Sequence, residues 1–314
     1  MCNEDEKVAI LLVEYYTGLF TTSNPCEIDS ILQQVQRSVT EERNTLLGRE
    51  FTREEVDLAL SQMAPLKAPG SDGMPTIFFQ HYWKDIGSDV AATMLSCLNS
   101  AHIPAGINHT YLTLIPKVKS PERVTEFRPI ALCNIVYKLI SKVLANHLKV
   151  ILPDIIFESQ SAFQSDNAIS NNISVAFETL HHMKIRKSGK IGFMALKLDM
   201  SKAFDRVEWP FLLQLMEKMG FNGRWVNLIF ECISTVTYSI LVNGEPKRNI
   251  VPSRGLRQDN PLSPYLFLLC SECLNALIQQ AVHEDKIRGY SLCRYGPKIS
   301  HLFFADDSLL FCHA

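Results

Sequence analysis

The segment Leu302-Phe-Phe-Ala-Asp306-Asp307-Ser-Leu-Leu-Phe311 constrains this chain more than any other, because two adjacent carboxylates interrupt an almost wholly apolar run. The flanks read as two short strands, so the acids fall at the tip of a hairpin. A second acid sits in a similar setting: Asp199 ends the apolar strand Phe193 to Leu198. Charge set beside so much apolar surface is costly unless something pairs with it. Adjacent carboxylates also repel, and a divalent cation is a natural partner. Hard oxygen ligands favour Mg²⁺, which keeps waters and recruits phosphates. Two such ions roughly 3.5–4 Å apart can serve an attacking hydroxyl and a leaving phosphate oxygen. A bare Asp-Asp is also what an ordinary turn carries, so the doublet alone does not choose.

The 314 residues are 46% hydrophobic and 20% charged, a globular composition with length for about two domains. A chain of this size buries about three quarters of its unfolded surface, so it needs no disulfide or structural metal. No unbroken apolar run is longer than Tyr265 to Cys270, far short of the roughly 18 residues of a membrane span. The acidic start, Met-Cys-Asn-Glu-Asp-Glu, lacks the basic flank of a signal peptide. The chain therefore reads as soluble and intracellular with no membrane partner, and the sequence leaves nucleus or cytoplasm open. Nine cysteines are scattered, and Cys270 and Cys273 form the one C-x-x-C, half of a four-ligand zinc set. H-E-x-x-H, Walker A and G-x-G-x-x-G motifs are absent from the sequence, which removes the usual support for zinc protease, ATPase and dinucleotide readings. The net charge of −2 divides unevenly, with −7 over residues 1–60 and +5 over 117–149. A basic block of that kind fits either a phosphate-binding surface or a solvated helix face.

Periodicity predicts helices over 8–20 and 26–39. Thr52-Arg-Glu-Glu55 is a capping box that opens a helix to Met63. Lys67-Ala-Pro-Gly-Ser-Asp-Gly73 breaks the pattern, and helical spacing returns over 77–103. Tyr111 to Ile115 reads as a strand, 116–126 as a charged turn and 127–131 as its return. Val136, Ile140, Val143, Leu144 and Leu148 form a helical stripe, with Lys138, Lys142 and Lys149 off it. A second stripe, Leu212 to Met219, is closed by Gly220. Ser239 to Val242 followed by Asn243-Gly244 signals a hairpin, and 266–278 is helical. Strands mixed with helices outside a strict βαβ rhythm give an α+β fold, with a helical region over 1–105 ahead of a mixed unit over 106–314.

Seven stretches occur in one order: Leu114-Ile-Pro-Lys117, Phe127-Arg-Pro-Ile130, Gln160-Ser-Ala-Phe163, Lys197 to Val207, Arg254-Gly-Leu-Arg-Gln258, Pro261-Leu-Ser-Pro264 and Phe304-Ala-Asp-Asp307. Together they resemble the reverse transcriptase of LINE-type, non-long-terminal-repeat retrotransposons, most nearly the plant lineage. Phe51 to Val56 and Lys67 to Gly73 resemble the region upstream of that polymerase. The resemblance implies right-hand fingers and an antiparallel palm sheet, and an RNA-directed DNA polymerase using Mg²⁺ or Mn²⁺, an RNA template, a DNA primer and dNTPs. It implies that Asp199 and Asp306 hold the metals and that Asp307 supports them. Lys117 and Arg128 would grip the triphosphate. Phe204 would collide with a ribose 2′-hydroxyl, its alternative being core packing. Gln258 would lie near the template and incoming base, with Arg254 and Arg257 at backbone phosphates. Asp205, with Glu208 three residues on, reads as a helix-start residue.

Three departures from the family pattern bear on activity. Gln258 is usually followed by Gly-Asp-Pro, whereas Asp259-Asn260-Pro261 stands here; glycine permits positive φ, and Asp259 adds charge near phosphates. A Gly-Arg pair and a later Asp-Asn are replaced by Asp166-Asn167 and Asn171-Asn172. The sequence runs seven residues beyond Asp307, so the expectation is a truncated or decayed fragment without thumb, endonuclease or Cys/His knuckle. The alternative function is a non-catalytic nucleic-acid-binding remnant, with a maturase-like splicing cofactor more distant. Oligomeric state is not legible.

Overall fold

The computed structural model describes residues 4–157, 159–160, 162, 169–186, 192–293 and 296–313. The departures at Asp166-Asn167, like Ser161 and Phe163, lie outside the described residues, as does the side chain of Asn171. In chain order the elements are α1 Glu4–Phe20, α2 Ile28–Leu32, α3 Glu41–Gly48, α4 Arg53–Ser61, α5 Thr76–Ser100, β1 His109–Pro116, β2 Phe127–Cys133, α6 Ile135–Ile155 and α7 Ile169–Ile185. They continue with β3 Phe193–Asp199, α8 Trp209–Met219, α9 Gly223–Ser234, β4 Thr237–Val242, β5 Glu245–Ile250, α10 Ser263–His283, β6 Tyr290–Ser291, β7 Lys298–Ile299, β8 His301–Phe304 and β9 Asp307–His313.

Local signals set many of these boundaries. The Thr52 amide donates to Glu55 Oε2 at 3.0 Å, the return half of the capping box. Gly220 ends α8 at φ +97, its amide donating to Met216 and Glu217 carbonyls. Asn243 and Gly244, at φ +53 and +82, make the tight turn from β4 to β5, in which Val242 pairs with Glu245. The helix predicted over 26–39 is corrected: only Ile28–Leu32 is helical. Beyond it, the amides of Ser38 and Val39 donate to the Met219 carbonyl, so α8 supplies partners that a helix would have supplied internally. The helix α3 follows at once, with Thr40 accepting from the Arg43 amide and acids in its first turn.

Three sheets result among the described residues. One has the order β2-β1-β4-β5, with β1 and β4 parallel and the outer pairs antiparallel. The second is antiparallel, β3-β9-β8, and β6-β7 is a two-stranded ribbon. The change near residue 105 is one of secondary structure, and packing crosses it: a single core runs from Ala9 on α1 to Cys273 on α10. Helix α6 lies inside that core, with Leu139, Ile140, Val143, Leu144 and Leu148 inaccessible. Lys138, expected off the apolar stripe, is also fully buried; its ammonium donates to the Ala68 carbonyl at 3.2 Å. The 67–73 loop is pressed onto this helix, since a Cβ on Gly70 would stand 2.3 Å from Asn134 Oδ1. Helix α10 is long and apolar enough to cross a membrane by length and composition, and half of that apolar window is buried within the fold.

Behind the β8–β9 hairpin lies a buried polar cluster. Asn275 Oδ1 meets His301 Nε2 at 2.7 Å, and Asn275 Nδ2 donates to Glu272 Oε2 at 3.4 Å. Burial pushes the Glu272 carboxyl up to about 7 and the His301 imidazole down to about 4. Between pH 4.5 and about 7 the folded chain holds a proton on Glu272 that the unfolded chain has lost. That group's contribution therefore falls as pH rises, by about 1.4 kcal/mol per pH unit. His301 acts oppositely between about 4 and 6.5, where the unfolded chain binds the extra proton. Over their shared window the two nearly cancel. Glu272→Gln removes one side, so the variant's stability, measured by urea unfolding, should climb with pH from 4.5 to 6.5 by about 1.4 kcal/mol per unit relative to the parent.

Candidate active site

The antiparallel register of β3 against β9 sets Asp199 directly opposite Asp307. On the other side of β9, Phe304 pairs with Asp307, which leaves Ala305 and Asp306 as the two-residue turn. Ala305 takes φ +52, a left-handed conformation unusual for alanine. Asp199 and Asp306 both line a cavity of about 550 Å³. Asp307 is not part of that lining; it pairs with Lys197 Nζ at 3.0 Å. The hydrogen bond and charge of Asp307 raise the Lys197 ammonium above the ordinary lysine range, with Asp199 and Asp306 adding to the effect.

Basic residues line the same cavity. Arg128 on β2 pairs in register with Ile115 on β1, and Lys117 follows β1 directly, so the two arms of one hairpin carry both cations into the cavity lining. Both residues are exposed. Lys202, which the sequence reading did not single out, joins them: it takes φ +57 and donates to the Phe127 carbonyl at 3.2 Å. Burial lowers its ammonium below the usual range. Phe204 lines the same cavity and stacks on Phe267, ring centroids 4.7 Å apart. Both readings of Phe204 thus have a structural counterpart, one ring surface packed and the residue facing the cleft.

Gln258 also lines the cavity, and its side-chain amide donates to Asp205 Oδ1 at 3.1 Å. Its carbonyl accepts from the Ala131 amide of β2. Asp205 is corrected: it lies within a 3₁₀ turn, Phe204–Arg206, buried beneath Gln258 instead of capping a helix. Burial pushes its carboxyl up to about 6, against the pull of Gln258, Lys202, Lys117 and Arg206. Glu208 precedes α8 without a capping bond of its own and accepts from Thr22, Ser23 and Arg254 instead.

The two arginines expected at backbone phosphates are corrected as well. Arg254 donates to the Leu19 carbonyl at 2.8 Å and pairs with Glu208 at 3.1 Å, tying the end of α1 to the start of α8. Arg257 is buried; it donates to Asn108 Oδ1 and, at 2.8 Å, to the Cys232 carbonyl, and lies 3.9 Å over the Tyr137 ring. Their donors are directed inward because the chain folds its own carbonyls and carboxylate around them.

A further residue holds the turn itself. Gln160 is inaccessible, and its Oε1 accepts from the amides of Ala305 at 3.2 Å and Ala162 at 3.0 Å. The Phe303 amide donates to the Ser159 carbonyl, and Asn172 Nδ2 donates to the carbonyls of both Ser159 and Phe303. The segment at 159–160 therefore brackets the turn that carries Asp306. Its motif was visible in the sequence, but its partner, 145 residues away, was not.

Among the described residues no group of three or more His, Cys, Asp or Glu is arranged to hold a metal ion. The pair Asp199 and Asp306 offers hard oxygens to one cavity, a set suited to an ion that keeps waters and takes further oxygens from phosphate.

One cavity on an α+β scaffold thus gathers Asp199 at the end of β3 and Asp306 on the β8–β9 turn with Lys117 and Arg128 of the β1–β2 hairpin. Residues 115–314, well over half of the chain, match the profile of the family described as reverse transcriptase (RNA-dependent DNA polymerase), and the chain belongs to that family. It is similar to the transposon TX1 uncharacterized 149 kDa protein of Xenopus laevis, 27% identical over 87% of this chain and 20% of that one. It is similar to the Pol polyprotein of the type-1 retrotransposable element R2 of Popillia japonica, 28% identical over 83% of this chain and 35% of that one. A shorter match, 47% identical, covers 22% of this chain and 56% of the uncharacterized mitochondrial protein AtMg01250 of Arabidopsis thaliana. The chain thus spans between a fifth and somewhat over half of these relatives' lengths.

Two predictions separate the cleft from its supports. Arg257→Ala should destabilise the fold by about 3 kcal/mol, as breaking a buried charged network does, whereas Lys117→Ala and Arg128→Ala should leave thermal unfolding near the parent's. Gln160→Met keeps the side chain's bulk but removes the acceptor, leaving buried amides unpaired at about 1–3 kcal/mol. Hydrogen exchange of the 302–308 segment should then accelerate while that of α8 does not.

Proposed function

We propose that this chain forms the fingers and palm of an RNA-directed DNA polymerase of a LINE-type, non-long-terminal-repeat retrotransposon. One observation carries the reading: Asp199 and Asp306 line the same cavity as Lys117, Arg128 and Phe204. In the reaction, the primer 3′-oxygen forms a bond to the α-phosphorus of a dNTP. The bond from that phosphorus to the bridging oxygen breaks, pyrophosphate leaves and the hydroxyl proton passes to solvent. Mg²⁺ or Mn²⁺ held by Asp199 and Asp306 would supply Lewis acidity at these oxygens. Lys117 and Arg128 bind and orient the triphosphate, the guanidinium by paired donors. Phe204, held by Phe267, excludes a ribose 2′-hydroxyl. Gln258 positions the template and incoming base, and Asp307, paired with Lys197, supports the turn. The partners are an RNA template and a DNA primer. The plant affinity of the motifs is supported by the Arabidopsis match, while the longer matches to TX1 and R2 are to animal proteins.

A second reading, a nucleic-acid-binding protein without catalysis, is favoured by one feature. Asp259 brings a carboxylate into the lining of the same cavity, where the family usually has glycine.

Primer extension by the purified protein on an RNA template, with Mg²⁺ or Mn²⁺ and an Asp306→Asn control, decides between them. Deoxynucleotide incorporation that drops at least about 100-fold in the control is expected of charge-stabilised phosphoryl transfer. Salt-dependent binding of the primer–template without incorporation in either metal would leave the second reading.

A further inference from the structure

Asp259 lies in the left-handed region, at φ +67, which L side chains adopt against steric resistance. Its carboxylate reaches Lys67 Nζ at 3.1 Å and Lys138 Nζ at 3.8 Å. These three residues come from distant parts of the chain, the loop after α4, the buried helix α6 and the segment before α10. Lys138 and the loop that bears Lys67 have supports besides Asp259. Lys138 donates to the Ala68 carbonyl at 3.2 Å, and the loop is fastened to α6 by Ser71 and the Asp72 amide on Asn134 Oδ1, at 3.1 and 3.3 Å. Lys138 is fully buried, and an ammonium there calls for an anion beside it. The fold thus sets two cations, one buried and one exposed, against a single carboxylate of its own chain. That anion lines the cavity that Lys117 and Arg128 also line, so the pair stands one ion-pair contact away from that lining.

We propose that Lys67 and Lys138 form a binding site for a backbone phosphate of a nucleic-acid strand, and that the Asp259 carboxylate occupies it as an internal competitor. A carboxylate and a phosphate present similar oxygen acceptors to an ammonium donor. Binding at this site requires Asp259 to give way, which weakens the strand's hold on the cleft. The inference rests on reading the cleft as a nucleic-acid groove.

The test uses fluorescence anisotropy of a labelled DNA primer annealed to RNA, without dNTP, over a salt series. Asp259→Asn keeps the shape and removes the charge, and Asp259→Gly also relieves the backbone. Both should bind about tenfold tighter than the parent at moderate salt, with the slope of log affinity against log salt steeper by about one released counterion. Adding Lys67→Ala to Asp259→Gly should cancel most of the gain. Parent-like affinity and slope in folded variants would overturn the proposal while the nucleic-acid reading stands. Loss of the folded state in both variants would mark the carboxylate as a structural brace and overturn it too. If neither parent nor variants bind the duplex, the groove reading itself fails and takes this inference with it.

Discussion

Three carboxylates at one end of a three-stranded sheet repel one another, and much of the surrounding structure can be understood from how that repulsion is met. Strand β3 supplies both an acid and a counter-charge. Lys197 and Asp199 are two residues apart and share a face, and the register with β9 brings Asp307 opposite Asp199. Lys197 takes Asp307, leaving Asp199 and Asp306 to line the cavity. The ion pair is exposed on both sides, so it is weak and exchangeable. It leaves the two cavity-lining acids uncommitted. Lys117, Arg128, Lys202 and Arg257 line the same cavity and supply positive charge there.

The basic lining depends in turn on an interior that salt cannot screen. Arg257 fastens β1, α6 and the end of α9 through Asn108, the Tyr137 ring and the Cys232 carbonyl. One residue later the Gln258 carbonyl receives the Ala131 amide of β2, while its side chain holds Asp205. The segment 254–259 therefore joins α1, the basic hairpin and the turn carrying Phe204. Arg254 and Arg257 earn their place by what they hold together inside the protein.

The divide between legible and hidden features follows physical range. The Thr52 capping box, the Gly220 stop and the Asn243-Gly244 turn are local, decided within a few residues, and each stands where the sequence put it. The hairpin carrying Asp306 was legible because alternation and charge conflict in one short stretch. The helix expected to run on to residue 39 stops at Leu32, and the amides of Ser38 and Val39 are met instead by Met219, far along the chain. Lys138 stands off the apolar stripe in sequence, and no local pattern announces the carbonyl and carboxylate that accompany its burial. Arg254 and Arg257 failed similarly: a guanidinium beside a family motif looks the same in sequence whether its acceptors are phosphates or the protein's own carbonyls. Asp205 required knowledge of Gln258 above it.

Backbone strain adds an independent pointer to the same cleft. Lys202, Asp259 and Ala305 are non-glycine residues at φ +57, +67 and +52. The first two line the cavity and the third precedes Asp306, which does. Left-handed conformations of this kind cost about 1 kcal/mol or more each and persist where surrounding contacts over-determine them. Each is so held: Lys202 by the Phe127 carbonyl, Asp259 by Lys67, and Ala305 by the buried Gln160. Asn243, by contrast, is left-handed in a hairpin turn that asks for it. The strain around the cavity lacks that local excuse, and the contacts that offset it are the ones that aim charged groups into a single space. Left-handed residues also stand elsewhere, at Asn24, Ala101, Arg248 and Asp285, so what distinguishes the three at the cleft is that their restraining contacts also hold its charged residues in position.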